Sequence, residues 1–397
     1  MRDIEPNAVN ELPVPDAEAL SHSRALSQRI AEEIQQNDGA IDFSRYMELA
    51  LYEPGLGYYS AGASKIGAEG DFITAPEVSS LFSLCLARQC LEIIEDPATS
   101  RVMEIGAGRG VMACDLMQEL ERLQCLPEKY LVLETSADLR ARQQELMQQR
   151  IPGLLSRVEW LDSLPGEFNG VILANEVLDA LPARRFVVSG ETISELSVHS
   201  GEQGFEWCDT RAGESLVSEL NRITRTLKTQ LPGGYRSEIN LGLRPWLSSL
   251  SDCLANGLML FIDYGYPRHE YYHEQRRDGT LLCHYRHRAH DDPFIYPGLQ
   301  DITTSVDFTA VAEAAVESGL EVKGFTTQAF FLLGCGLEKI MQDRAGDSEQ
   351  QRVELARQVK LLTLPAEMGE KFKVIGLARG VERALSGFSI VDHRHRL

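Results

Sequence analysis

The segment Val102-Met103-Glu104-Ile105-Gly106-Ala107-Gly108-Arg109-Gly110 constrains the fold of this chain more than any other. RVMEI reads as a short buried strand, VMACDLMQELERL as an amphipathic helix, and the three glycines as a tight turn between them. Glycine lets a backbone bend sharply and be approached where a Cβ would clash. The dinucleotide fingerprint is G-x-G-x-x-G, whereas the spacing here is G-x-G-x-G with Glu104 two residues ahead. A pyrophosphate needs open N–H groups at a helix N-terminus, while an acid beside the turn suits a ligand with a cationic amine. The next strand, YLVLE, ends in Glu134, followed by Thr135, and a carboxylate there can accept both hydroxyls of a ribose. Glu104, Gly106, Ala107, Gly108, Gly110, Glu134 and Thr135 are therefore the expected nucleoside-cofactor residues.

Beyond the turn, SADLRARQQELMQQR reads as a helix, RVEWL and GVILANE as strands. This β-α-β-α order predicts an α/β fold with a doubly wound, mostly parallel sheet covered on both faces. Residues 185–209 (RFVVS, TISELSVH, GFEWCD) alternate like an antiparallel meander, and 214–255 reads as largely helical. GLMLFIDYG (257–265) resumes the sheet, followed by a long polar loop, a helix near 307–318, and the strands LEVKGFTTQ and KFKVIGLARG. Upstream, SRALSQRIAEEIQQ (23–36) predicts a helix stopped by Asn37-Asp38-Gly39. Thr74, Pro76 and Glu77 predict a capping box, from which Val78, Phe82, Cys85 and Gln89 follow helical spacing. The expected organisation is a loose tail over 1–22 and a helical, cofactor-capping extension over 23–100. A core follows over 101–184 and 256–397, and an insertion over 185–255 is a candidate substrate-binding subdomain.

The 39 Lys and Arg against 59 Asp and Glu, a net charge of −20, argue against nucleic acid as a partner. The longest apolar stretch, GLMLFI at 257–262, is too short for a membrane span. The eight cysteines are scattered without a CxxC pair, and the first twenty residues show neither an apolar signal core nor an Arg-rich amphipathic face. Reduced thiols and a cytoplasmic location are the expectation. Oligomeric state is left open.

Several idiosyncratic segments go further. YEPGLGYYS (52–60), GDFITAPEVSSLF (70–82), EIGAGRG (104–110), NEVLDALP (175–182), IDYGY (262–266), GTLLCHYRHRAHDDPF (279–294) and QDITTSVDFTAV (300–311) resemble those of the MidA family. These proteins are relatives of the mitochondrial complex I assembly factor that methylates a protein arginine. The resemblance runs from about residue 40 to about 380. It implies a class I methyltransferase (Rossmann-like) fold with S-adenosylmethionine as methyl donor. Its mitochondrial member implies symmetric dimethylation of a target arginine on a partner protein such as a respiratory complex subunit. The substrate itself stays open. Where family members often carry His, this chain has Ser305, which cannot act as an imidazole base.

Methyl transfer to a guanidinium, which stays cationic at neutral pH, calls for carboxylates that pair with two nitrogens and aim the third. Glu176 and Asp179, after GVILANE, are three residues apart, so a helical turn would place both on one side as the catalytic pair. Asn175 before them is a further cofactor contact. Tyr264, at the end of IDYG, can wall the substrate channel. Gly70-Asp71-Phe72 can close over the cofactor, with Asp71 attracting its amine, and Asp162 can meet the adenine amine. Asn175 is followed by Glu-Val-Leu in place of the Pro-Pro-aromatic turn of enzymes that methylate exocyclic base amines, which speaks against that chemistry. His284, His287 and His290 with Asp291 and Asp292 allow a metal reading, but a polar loop explains them better, and no metal is expected. Two other functions stay open: an assembly chaperone on a methyltransferase fold, and a small-molecule methyltransferase with its pocket closed by 185–255.

Overall fold

The short apolar runs that alternate with amphipathic helices after residue 100 build one layered sheet. A computed structural model describes residues 12–60, 74–190, 192–345 and 348–397. The chain forms two compact units, one drawn from Met1–Phe72, Asp179–Leu243 and Arg268–Ser305, the other from Ile73–Leu178, Arg244–Pro267 and Val306–Leu397. This grouping cuts the chain differently from the expected segments: the helical stretch after Thr74 joins the second unit, and 268–305 the first.

The second unit holds strands β1 (Arg101–Ile105), β2 (Lys129–Leu133), β3 (Val158–Leu161), β4 (Phe168–Asn175), β5 (Leu254–Tyr266), β6 (Glu321–Thr327) and β7 (Phe372–Arg379). They lie in the order β6-β7-β5-β4-β1-β2-β3, and Val306–Asp307 adds a short parallel pair at the end of β5. β1 to β5 are parallel, and β7 runs antiparallel between β5 and β6. This is the doubly wound class I methyltransferase fold that the sequence pattern and motifs point to. Alternate residues Val102, Tyr130, Val132, Val171, Leu173, Leu258, Leu260 and Ile262 share one core with helix α1 (Ser80–Leu91) and helix α2 (Val111–Arg122). The intervening Met103, Leu131, Ile172, Met259 and Phe261 are buried as well, as in a sheet covered on both faces. The chain steps outward from β1 to β2 and β3, then crosses to the other side of β1 for β4. That reversal opens a crevice at the carboxyl ends of β1 and β4, where doubly wound sheets bind ligands.

The first unit packs helices Ala17–Gln36 and Phe43–Tyr52 with an antiparallel sheet of Ala40–Asp42, Arg184–Ser189, Thr192–Ser200, Phe205–Arg211 and Arg236–Ile239. Leu26, Ile30 and Ile34, four apart, are buried there with Phe43, Tyr46 and Tyr58. Three sequence expectations are corrected. The first helix begins at Ala17, capped by Asp16, so the loose tail does not extend to residue 22. The region 214–255 is largely helical as expected, through Glu214–Leu227 and Leu243–Cys253, with the short strand Arg236–Ile239 between them. The long polar loop is structured by a three-stranded antiparallel sheet of Leu282–Tyr285, Arg288–His290 and Asp301–Thr303. Such short strands carry too few alternations for their period to show. The Thr74 capping box does not form either. Thr74 makes no side-chain cap, the helix stops after Val78, and the extended Ser79 caps α1 through the Leu81 N–H.

Candidate active site

The Gly-rich turn leaves β1 at Ile105. Gly106, Gly108 and Gly110 take φ values of +65°, +53° and +85°, a region that residues with a Cβ adopt only under strain. The Gly106 N–H donates to the Leu133 carbonyl (3.1 Å), and the Gly110 N–H closes the turn on the Ala107 carbonyl (2.8 Å). A Cβ on Gly106 would lie 3.0 Å from Val177 Cγ2, and one on Gly110 3.2 Å from Met147 Cε. Gly110 is the N-cap of α2, with no side chain to satisfy the first N–H groups of that helix. Ala107 is buried within the turn.

Glu134 follows β2. Its Oε1 accepts from the Ser136 N–H (2.9 Å) and its Oε2 from Gln143 Nε2 (3.1 Å). Burial raises the Glu134 pKa, while the Ser136 N–H and Gln143 favour the ionised form. Gln143 comes from helix α3 (Ala137–Arg150) and was not expected from the sequence, being one Gln in a polar helix. It is fully buried, donates also to the Gly108 carbonyl (2.9 Å), and accepts from the Trp160 indole N–H (3.0 Å). Thr135 is exposed beside Glu134. Asp162, after β3, is exposed and ion-paired with Arg140 at 2.8 Å. Glu104 is buried in β1 and accepts the Tyr130 hydroxyl, and burial pushes its carboxyl up to about 7.

Across the switch point, β4 ends at Asn175. Its Nδ2 donates to Glu176 Oε1 (3.0 Å), and its buried Oδ1 has no partner. A buried acceptor without a donor is costly, so this atom suits a ligand that brings an N–H or O–H. Glu176 takes φ +55° and donates its N–H to the Ile262 carbonyl (2.9 Å). The buried Asp263, at the end of β5, fixes the next turn: Oδ2 accepts from the N–H groups of Val177 (3.2 Å) and Leu178 (2.9 Å), and Oδ1 from Tyr264 (2.9 Å). The helical turn expected to align Glu176 with Asp179 is therefore absent. A left-handed Glu176 takes the backbone off the helical path, and residues 176–180 form bends and a turn instead. Asp179 lies in the first unit, buried, with its carbonyl accepting from Thr304 N–H (3.0 Å). Tyr264 meets Phe372 edge-on with centroids 5.7 Å apart. The clamp by Asp263 was visible in sequence only as an acid closing an apolar run. Asp263→Asn puts an amide where carboxylate oxygens receive backbone donors and should cost about 2 kcal/mol of stability in denaturant titration. Unchanged stability would remove the clamp.

Gly70, Asp71 and Phe72 lie outside the described residues. In the first unit, Ser305 donates its N–H to Thr280 Oγ1 (3.1 Å). The histidine-rich stretch forms a hairpin whose turn residues Arg286 and His287 have positive φ. His284 pairs with Ala289 and His290 with Cys283, so the two histidines stand on opposite faces. Burial holds His284 down to about 4. Among the described residues, no three His, Cys, Asp or Glu side chains gather to hold a metal, and no helix is long and apolar enough to cross a membrane.

The site residues of the second unit thus fit a nucleoside cofactor with a cationic amine: a left-handed glycine turn, a buried carboxylate after β2, another in β1, and an unpaired buried acceptor at the end of β4. A crystal structure of a Burkholderia thailandensis protein bound to S-adenosyl-homocysteine is 43% identical, with a TM-score of 0.92, covering 97% of this chain and all of that one. The mitochondrial protein arginine methyltransferase NDUFAF7 homolog of Drosophila melanogaster is 27% identical over 94% of this chain and 89% of its own length. The protein arginine methyltransferase NDUFAF7 of Rattus norvegicus is 26% identical over 86% and 82%. Residues 85–326 match the family described as "Putative S-adenosyl-L-methionine-dependent methyltransferase". The glycine turn and sheet order agree with that match, and the chain belongs to this methyltransferase family, the one its MidA-like motifs point to.

Proposed function

We propose that the chain binds S-adenosylmethionine and methylates an arginine of a partner protein. The observation that carries the reading is the pairing at the switch point of two different polar arrangements. One side offers Glu134 and the glycine turn. The other offers Asn175 and the carboxylate of Glu176, held on a strained backbone over the carboxyl end of β4. Non-glycine residues at positive φ persist where surrounding structure over-determines them, and they cluster at functional sites. The names of the curated relatives support arginine as the acceptor.

Glu134 holds the ribose hydroxyls, and the turn from Gly106 to Gly110 lets the cofactor approach the backbone. Asn175 Oδ1 and Glu104 face the polar and cationic parts. The cofactor supplies an electrophilic methyl on a sulfonium. Glu176 pairs with the incoming guanidinium and directs one nitrogen, while Asp263 keeps the Glu176 turn from relaxing. Tyr264 borders the acceptor channel. The segment 185–255 is assigned to substrate binding. Dimethylation would be symmetric. An acidic chain suits a locally basic target. All eight cysteines are free, which fits a reducing compartment such as the cytoplasm.

The test is incubation with methyl-labelled S-adenosylmethionine and a cell lysate, followed by acid hydrolysis and separation of methylated amino acids. Label in methylarginine supports the proposal; label in lysine, or none from a protein that binds S-adenosylhomocysteine, overturns it. The second outcome favours an assembly chaperone, the reading that Ser305 suggests. Glu176→Gln keeps the size of the side chain and removes its charge. It should leave cofactor affinity unchanged and lower methylation about 10–100-fold, the worth of one charge-assisted hydrogen bond. Full activity would take Glu176 out of the mechanism.

A further inference from the structure

Gln143 occupies a position that neither the motifs nor the family description marks. Its carboxamide meets three partners of fixed character. The Gly108 carbonyl (2.9 Å) and Glu134 Oε2 (3.1 Å) can only accept, and the Trp160 indole (3.0 Å) can only donate. Two acceptors on the nitrogen and one donor on the oxygen leave a single orientation for the amide. A flipped amide would set its oxygen against two oxygens and its nitrogen against an N–H. Three strand ends are joined in this way: the turn after β1, the acid after β2, and β3 through Trp160. The Gln143 stem also lies beneath Gly110, whose added Cβ would stand 3.3 Å from Gln143 Cγ.

We propose that Gln143 is a positioning residue for the cofactor, locking the Gly108 carbonyl and the Glu134 carboxylate at one spacing so that turn and ribose acid act as a single preformed cradle. The proposal rests on the cofactor reading above. Gln143 acts through Glu134 and the turn, without touching the ligand. Two features separate this from mere packing. A buried side chain kept only for shape would be served by Met or Leu without three polar demands. And Glu134, already anchored at Oε1 by the Ser136 N–H, would be free to swing its other oxygen without Gln143.

The experiment is calorimetric titration of the full chain with S-adenosylhomocysteine and with its 2′,3′-dideoxy analogue, for wild type and Gln143→Met. Methionine keeps length and helix propensity while removing all three hydrogen bonds. The expected result is a loss of about tenfold or more for S-adenosylhomocysteine in the variant, and a several-fold smaller loss for the analogue, which still uses the turn but not the carboxylate. The ribose hydroxyls and Gln143 would then be energetically coupled. Equal loss for both ligands, or none, overturns the proposal.

A second readout is the pH profile. Glu134 is faced by Glu104 from β1, by Arg140 and Gln143 from α3, and by the Thr135 and Ser136 N–H groups. Loss of the Gln143 donor should move the acid limb of S-adenosylhomocysteine binding to higher pH, a shift that lost packing alone would not produce. Should Gln143→Met fail to fold, Trp160→Phe removes only the donor that fixes the amide. It should show the same ligand selectivity at a few-fold scale, and unchanged binding there overturns the proposal. Wild-type protein that binds neither ligand is a different result, overturning the cofactor reading and this proposal with it.

Discussion

Gly108→Val protein should fold and bind S-adenosylhomocysteine at least about a hundredfold more weakly than wild type, a loss approaching 3 kcal/mol of binding free energy. The size follows from the backbone. Gly108 sits at φ +53°, and a β-branched residue is a true outlier in that region. Valine therefore either holds the turn under strain of about 1–2 kcal/mol or moves the peptide to another basin. Moving it withdraws the Gly108 carbonyl from Gln143 and breaks the link to Glu134. Stability suffers little by comparison, because the core beneath the turn is built from β1, α1 and α2. Calorimetry for binding and thermal unfolding for the fold separate the two effects. Gly108→Ala, with a smaller Cβ and no branch, should fall between wild type and valine. A folded Gly108→Val with wild-type affinity would sink the assignment of this turn to the cofactor.

That prediction uses the part of the molecule most legible from sequence. Strand, glycine turn and helix from 101 to 122 could be read because each declares itself locally: a short apolar run, three closely spaced glycines, then a period near 3.6. The position of Glu134 just past a strand could be read because the apolar run before it is continuous. The second half of the site could not be read the same way. Glu176 and Asp179 looked like a helical pair because spacing of three is ambiguous until the N–H groups between them are accounted for. Those N–H groups go to Asp263, which is distant in sequence and adjacent only once β5 lies beside β4. Gln143 was silent for a related reason. A buried glutamine in a helix as polar as ADLRARQQELMQQR is set apart only by partners on other elements. Short antiparallel strands such as Arg288–His290 were lost for lack of length.

Glu104→Gln should stabilise the protein at pH 8 and weaken its hold on the cofactor, the two effects having one origin. The wild-type carboxyl is buried in β1. Burial is the main force pushing its pKa up to about 7; the Glu134 charge adds to the rise and the Tyr130 hydroxyl opposes it. In the unfolded chain the same group titrates near 4.5. Between those values the folded state binds the proton more tightly, so stability falls as pH rises from about 4.5 to 7 and levels off above. The shift corresponds to a loss of up to about 3 kcal/mol at pH 8. Glutamine can still accept the Tyr130 hydrogen bond and carries no charge to desolvate. The variant's advantage in chemical denaturation should therefore grow through that window and close at acid pH. The charge that costs stability is the one that meets a cationic amine, so S-adenosylhomocysteine affinity should drop about tenfold at pH 8. Wild type should also release a proton on binding near pH 6.5, measurable in buffers of different ionisation enthalpy, and the variant should release less. A stability difference that stays flat from pH 5 to 8 would show that Glu104 is not carrying a buried charge. Unchanged affinity would show that the amine is held elsewhere.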